Sequence, residues 1–141
     1  MKQIGREVCF LRTGKYNPRN GESSFLRLRD GGIMCVYTKY YGDDWTDHSI
    51  ARLEAIDSYD EGETWSESRI LIEKDKDALN LMSASLIRLE NGDLGVLYLR
   101  KSMKDDKLLC MPYFVRSSDE GKTFSEPILC VNKDGYYCVN N

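Results

Sequence analysis

Three prolines, one histidine and no long apolar run set the first limits on this chain of 141 residues. No stretch approaches the roughly 20 apolar residues of a membrane-spanning helix. The start, Met1-Lys2-Gln3-Ile4-Gly5-Arg6, has no continuous apolar core of the kind a secretory leader needs, so a cytoplasmic location is the expectation. A basic excess is missing too. Lys and Arg number 20 against 23 Asp and Glu, and the net charge of −3 removes the electrostatic reason to expect a nucleic-acid partner. The five cysteines (Cys9, Cys35, Cys110, Cys130, Cys138) are odd in number and never in C-x-x-C spacing. Four lie in or beside apolar segments and none neighbours the single His, so buried reduced thiols are expected, with no metal and no cofactor. A long 3.6-residue periodicity is also absent; the one weak helical stretch, 74–81, is short.

What is present is a repeat. Ser58-Tyr59-Asp60-Glu61-Gly62-Glu63-Thr64-Trp65 recurs 59 residues later as Ser117-Ser118-Asp119-Glu120-Gly121-Lys122-Thr123-Phe124, in the pattern S-x-D-x-G-x-T-aromatic. A Ser and Asp two apart can accept the turn's own N–H groups, the Gly supplies positive φ, and the aromatic can drop between strands. The repeat reaches further. Phe25-Leu26-Arg27-Leu28-Arg29-Asp30-Gly31-Gly32-Ile33 aligns with Leu86-Ile87-Arg88-Leu89-Glu90-Asn91-Gly92-Asp93-Leu94 at an offset of 61, and Tyr37 falls on Tyr98. Alternation and turn residues predict strands at 24–28, 33–40, 50–56 and 69–72, then at 84–89, 94–99, 109–116 and 128–131. The fold class is all-β. One unit covers 21–73 and a second 82–131, with 132–141 opening a third and 1–20 a leading segment whose residues 4–12 alternate weakly.

The paired motif resembles the Asp box of the sialidase (neuraminidase) superfamily, the BNR repeat. The resemblance implies a six-bladed β-propeller, of which this chain would carry about two blades from the N-terminal portion. The leading segment would then supply the closing strand of the last blade. Blades of this kind close a ring in sets of about 4–8, so the bare flanks should be covered by further blades or by self-association. The resemblance also implies an exo-acting glycoside hydrolase that binds a terminal, anionic sugar. Asp-box propellers that bind glycan or protein without catalysis are the other function class.

In a four-stranded meander the turns between strands 1–2 and 3–4 share one end, and the 2–3 loop and the blade-to-blade connection share the other. The motif turns therefore lie away from the face on which the resemblance places the active site. On that face we expect the segments 16–23, 40–49, 80–83 and 101–107. The loop 40–49 holds Asp43, Asp44, Asp47, His48, Trp45, Tyr40 and Tyr41. Crowded carboxylates raise one another's pKa, which suits a general acid, and aromatic faces can stack a sugar ring. Asp47 or Asp44 is the candidate acid; Trp45, His48 and Tyr41 are candidate substrate contacts. A solvated acidic turn is the plainer reading, and a Ca²⁺ loop lacks its regular spacing. Before strand 1, sialidases carry an Arg-Ile-Pro tripeptide whose Arg clamps the substrate carboxylate. That position falls on Gly21 here, leaving Arg19 as the nearest guanidinium and Glu22 as a second rim carboxylate. Arg100 opens the charged segment 101–107 and is a further ligand candidate. The family's Tyr nucleophile with its Glu would lie in later blades, outside these residues.

Overall fold

Asp30-Gly31-Gly32 and Asn91-Gly92-Asp93 build the same turn twice. Gly31 and Gly92 take φ of 92° and 86° and donate to the Leu28 and Leu89 carbonyls. The Asp30 and Asn91 side chains accept the N–H two residues on, at 3.0 and 3.1 Å. These turns open two antiparallel meanders in the computed structural model, which describes residues 5–139. The strands are β1 (Asn20–Arg27), β2 (Ile33–Tyr40), β3 (Ala51–Ser58) and β4 (Arg69–Ile72), then β5 (Ala78–Arg88), β6 (Leu94–Lys104), β7 (Lys107–Ser117) and β8 (Ile128–Leu129). Among the described residues there is no helix. Each set of four forms a blade, paired β1-β2-β3-β4 and β5-β6-β7-β8. One parallel bridge, Ala51 to Asn80, joins them into a single open mixed sheet. The fold is all-β, two blades of a partial propeller.

The blades meet on a continuous core in which Met34, Val36 and Leu53 of the first face Leu81, Leu94 and Val96 of the second. Five of these six are essentially inaccessible and Leu81 nearly so, so the seam carries most of the hydrophobic stabilisation. Polar contacts stitch the seam along its length. Ser83 donates its N–H to Thr38 Oγ1, Leu86 its N–H to Ser24 Oγ, and Arg88 Nη2 reaches the Arg27 carbonyl. The outer flank of the first blade has only a small cluster of Cys35, Tyr37 and Ile56, with Leu11 and Trp65 against it. Residues 6–11 lie against that flank, and residues 5–13 form no strand; Ile4, the first residue of the alternation, lies outside the described residues.

Past β8 the chain returns along β7. Cys110 and Tyr136 form a parallel bridge, with Cys110 N–H donating to the Gly135 carbonyl and Tyr137 N–H to the Cys110 carbonyl. Cys110 stands 59 residues after Ala51. The tail thus leaves the second blade as β5 leaves the first. Asn140 and Asn141 lie outside the described residues.

Residues 74–81, the weak helical stretch, form no helix; a turn at Asp75 leads into β5, because Asp75 accepts Asp77 N–H and Ala78 N–H bonds back to the Asp75 carbonyl. The structure corrects three expectations. Residues 80–83, expected in a connection, belong to β5. Residues 101–107 are no open loop: β6 and β7 run on to a two-residue turn at Asp105-Asp106, both at positive φ. Only Cys35 and Cys110 are buried; Cys9, Cys130 and Cys138 are exposed.

Candidate functional site

The motif turns and the acidic loop lie at opposite ends of the blades. In the first turn Ser58 Oγ accepts Gly62 N–H at 2.9 Å, and Asp60 accepts Thr64 N–H and Thr64 Oγ1 at 2.8 and 2.6 Å. The second repeats this with Ser117 to Gly121 at 2.8 Å and Asp119 to Thr123 at 2.9 and 2.7 Å. The Thr64 and Thr123 hydroxyls hold Asp60 and Asp119 below the usual carboxylate range. Every acceptor is engaged within its own turn, so these residues serve the backbone.

At the other end Gly21 is packed against Tyr40 and Thr38; a Cβ there would meet the Tyr40 ring at 3.3 Å. A side chain at this position, where the resemblance sets the clamp arginine, would have to displace the Tyr40 ring by a few tenths of an ångström. Arg19 reaches the same place from two residues upstream. Its guanidinium lies over the Tyr40 ring, 4.7 Å from the centroid, and donates to Asp47 Oδ1 at 2.6 Å. That hydrogen bond holds the Asp47 carboxyl below the usual range, against the opposing pull of desolvation. Burial pulls the Arg19 guanidinium down, and Asp47, Tyr40 and Glu22 together more than offset it. Asp44 is also lowered, through Ser49 and then through Thr46, which donates its N–H and hydroxyl at 3.0 and 2.8 Å. For Asp47 and Asp44 the expectation that crowding raises the pKa is therefore reversed: both have their own donors before they meet another carboxylate.

Trp45 is exposed, with 67 % of its surface accessible, and so is His48. Tyr41 lies under the Arg52 guanidinium, 5.2 Å from its centroid. Glu22 shares with Asp47, Ser83, Lys101 and Tyr136 the wall of a cleft of about 170 Å³. Arg100 is not part of this group. Its fork is filled by Asp75 at 2.7 and 2.6 Å, which drives the Asp75 carboxyl down to about 2. The sequence reading missed Lys101, which is 1 % exposed and donates to the Asp47 carbonyl at 2.7 Å. It missed Asn80 as well, whose Nδ2 donates to the Asp47 and Ser49 carbonyls at 3.0 and 2.8 Å. Among the described residues no group of three or more His, Cys, Asp or Glu side chains is arranged to hold a metal ion.

This constellation, a guanidinium on an aromatic face beside a paired carboxylate, lies on a scaffold with solved counterparts. The Hadza microbial sialidase Hz136 superposes with a TM-score of 0.65 at 16% identity, over 81% of this chain and 26% of that one. A protein of unknown function from Dyadobacter fermentans gives 0.71 at 18% identity, over 86% and 38%. The intramolecular trans-sialidase from Ruminococcus gnavus, solved with oseltamivir carboxylate, gives 0.61 at 10% identity, over 87% and 50%. The fold is sialidase-like. This chain spans between about a quarter and half the length of these structures. The sequence matches no protein-family model and no curated protein.

Proposed function

We propose that these residues form the first part of a sialidase-like exo-glycoside hydrolase that removes a terminal anionic sugar, its repeated turns being Asp boxes and its remaining blades completing the site. The observation that carries this reading is the Arg19–Asp47 pair on the face opposite the repeated turns. A guanidinium on an aromatic floor suits a substrate carboxylate. Such a ligand would take the guanidinium that Asp47 now engages through Nη1. Asp47 would then lose the donor that keeps it ionised, and desolvation under the sugar would push its pKa upward, toward that of a general acid. Trp45 and Tyr41 would offer ring faces, with Glu22 and His48 on the rim. Arg100, committed to Asp75, has no place in the mechanism.

The test is Asp47→Ala in the full-length enzyme. Turnover of a natural substrate with a poor leaving group should fall by ~10²–10⁴, and that of an aryl glycoside, whose leaving group needs little protonation, by much less. Wild-type turnover on the natural substrate would remove Asp47 from the acid role. A second reading, a non-catalytic glycan-binding propeller, draws on the same ion pair, because an ionised Asp47 suits hydrogen bonding to sugar hydroxyls. It predicts binding of an anionic sugar with no hydrolysis at any pH.

A further inference from the structure

The acidic loop belongs to the first blade, and two buried residues of the second blade hold it. We infer that Lys101 and Asn80 are positioning residues that set the direction of Asp47. The inference rests on the reading of Asp47 as the reacting carboxylate, and its geometry is independent of turnover. Lys101 Nζ and Asn80 Nδ2 converge on one atom, the Asp47 carbonyl oxygen, at 2.7 and 3.0 Å, and Asn80 uses the same nitrogen on the Ser49 carbonyl at 2.8 Å. The peptide that carries Asp47 is thus clamped from both sides of its link to β3. Asp44 has no such hold and is satisfied within its own loop.

Burying an ammonium is costly, and a Met or Leu would fill this strand position without that cost. Among the described residues Lys101 has one hydrogen-bond acceptor, the Asp47 carbonyl, and its charge also rests over the Tyr136 ring, 5.4 Å from the centroid. Position 101 therefore gives up stability for control of one loop carbonyl. The same ammonium faces the cleft that Glu22 and the Asp47 carboxylate line, and its field adds to those of Arg19 and His48 in holding Asp47 ionised. The spacing of the two blades thereby becomes part of the site. A shift at the seam would move the Asp47 peptide relative to Arg19, which belongs to the first blade alone.

The test uses the full-length protein, labelled with ¹³C at aspartate C′ and Cγ and with ¹⁵N at lysine Nζ. In Lys101→Met the Asp47 carboxyl should titrate at a higher pH than in wild type, and Lys101→Arg should bring it back down. Arg19, His48, Glu22, Tyr40 and Tyr136, which lie around Asp47 and its cleft, are unchanged in both variants. An unmoved Asp47 titration in Lys101→Met overturns the inference. If that variant does not fold, the wild type decides: a scalar coupling between the Lys101 ammonium nitrogen and the Asp47 carbonyl carbon is expected, and a freely exchanging ammonium without it overturns the inference. An inactive protein that shows the shift counts against the hydrolase reading alone.

Discussion

The two motif turns share their Ser–Gly, Ser–Asp and Asp–Thr hydrogen bonds and differ in their surroundings. In each, a non-glycine residue precedes the glycine in the left-handed region, Glu61 and Glu120 at φ 60°, and the glycines follow at 88° and 80°. The second turn closes on the seam. Phe124 packs against the shared core, and a Cβ on Gly121 would lie 3.3–3.4 Å from Leu71, Met34 and Leu94. The first turn closes on the outer flank, where Trp65 meets Phe25 edge-on at 6.1 Å and a Cβ on Gly62 would touch only Trp65, at 3.8 Å. The glutamates diverge in the same way. Glu61 takes the fork of Arg27 in its own blade. Glu120 takes that of Arg88 and also accepts Arg29 N–H from the first blade. A motif specifies its turn, and the neighbouring blade sets how much stability that turn carries.

The largest expected effect sharpens the seam side. Leu94→Ala, at an inaccessible core position, should cost about 2–5 kcal/mol by thermal or denaturant unfolding. Ile56→Ala, in the small flank cluster, should cost clearly less. Equal losses would mean that the seam is not the main core. The two glycines come next. Gly62→Ala should cost about 1 kcal/mol for the left-handed conformation. Gly121→Ala adds crowding against three seam side chains and should cost about 2–3 kcal/mol. A reversed order in paired melting curves would break the comparison.

The smallest effects are electrostatic. Glu120→Gln should destabilise by about 1 kcal/mol near neutral pH, since its carboxylate is mostly buried and paired twice. Glu61→Gln, on an exposed pair, should be close to silent. The sign with pH follows from Arg88, which holds the Glu120 carboxyl below the ordinary glutamate value. A depressed folded-state pKa gives stability that is present above the unfolded value and lost as pH falls through the folded one. The gap between wild type and Glu120→Gln should therefore close on acidification below about pH 4.3. A gap that persists at pH 2 would mean that the substitution acts through packing.

The strands, the two hairpin turns and the division into opposite ends were legible because they rest on local signals: alternation, Gly and Asn at positive φ, and repetition. The Arg27 and Arg88 positions were visible as aligned residues, but their matching forks onto Glu61 and Glu120 were not, since those partners lie 34 and 32 residues away. Lys101 was misread for a similar reason. The segment Lys101-Ser102-Met103-Lys104-Asp105-Asp106-Lys107 is polar enough to pass for a solvated loop. Its burial depends on β6 continuing past Leu99 and on a carbonyl from the other blade. The loop 40–49 was found as a cluster of chemistry, yet the direction of its pKa shifts was reversed, because composition counts charges and omits the donors that surround them.

Residue order alone determined that this chain is all-β, that it says one thing twice, and that its repeated turns lie away from its acidic loop, because turn chemistry and two-residue periodicity act over a few neighbours. Which aromatic is buried in the seam, which carboxylate is paired and which lysine is hidden were decided by tertiary structure. These depend on what the second blade brings within about 3 Å of the first, and side chains 30 to 60 positions apart leave no local pattern to read.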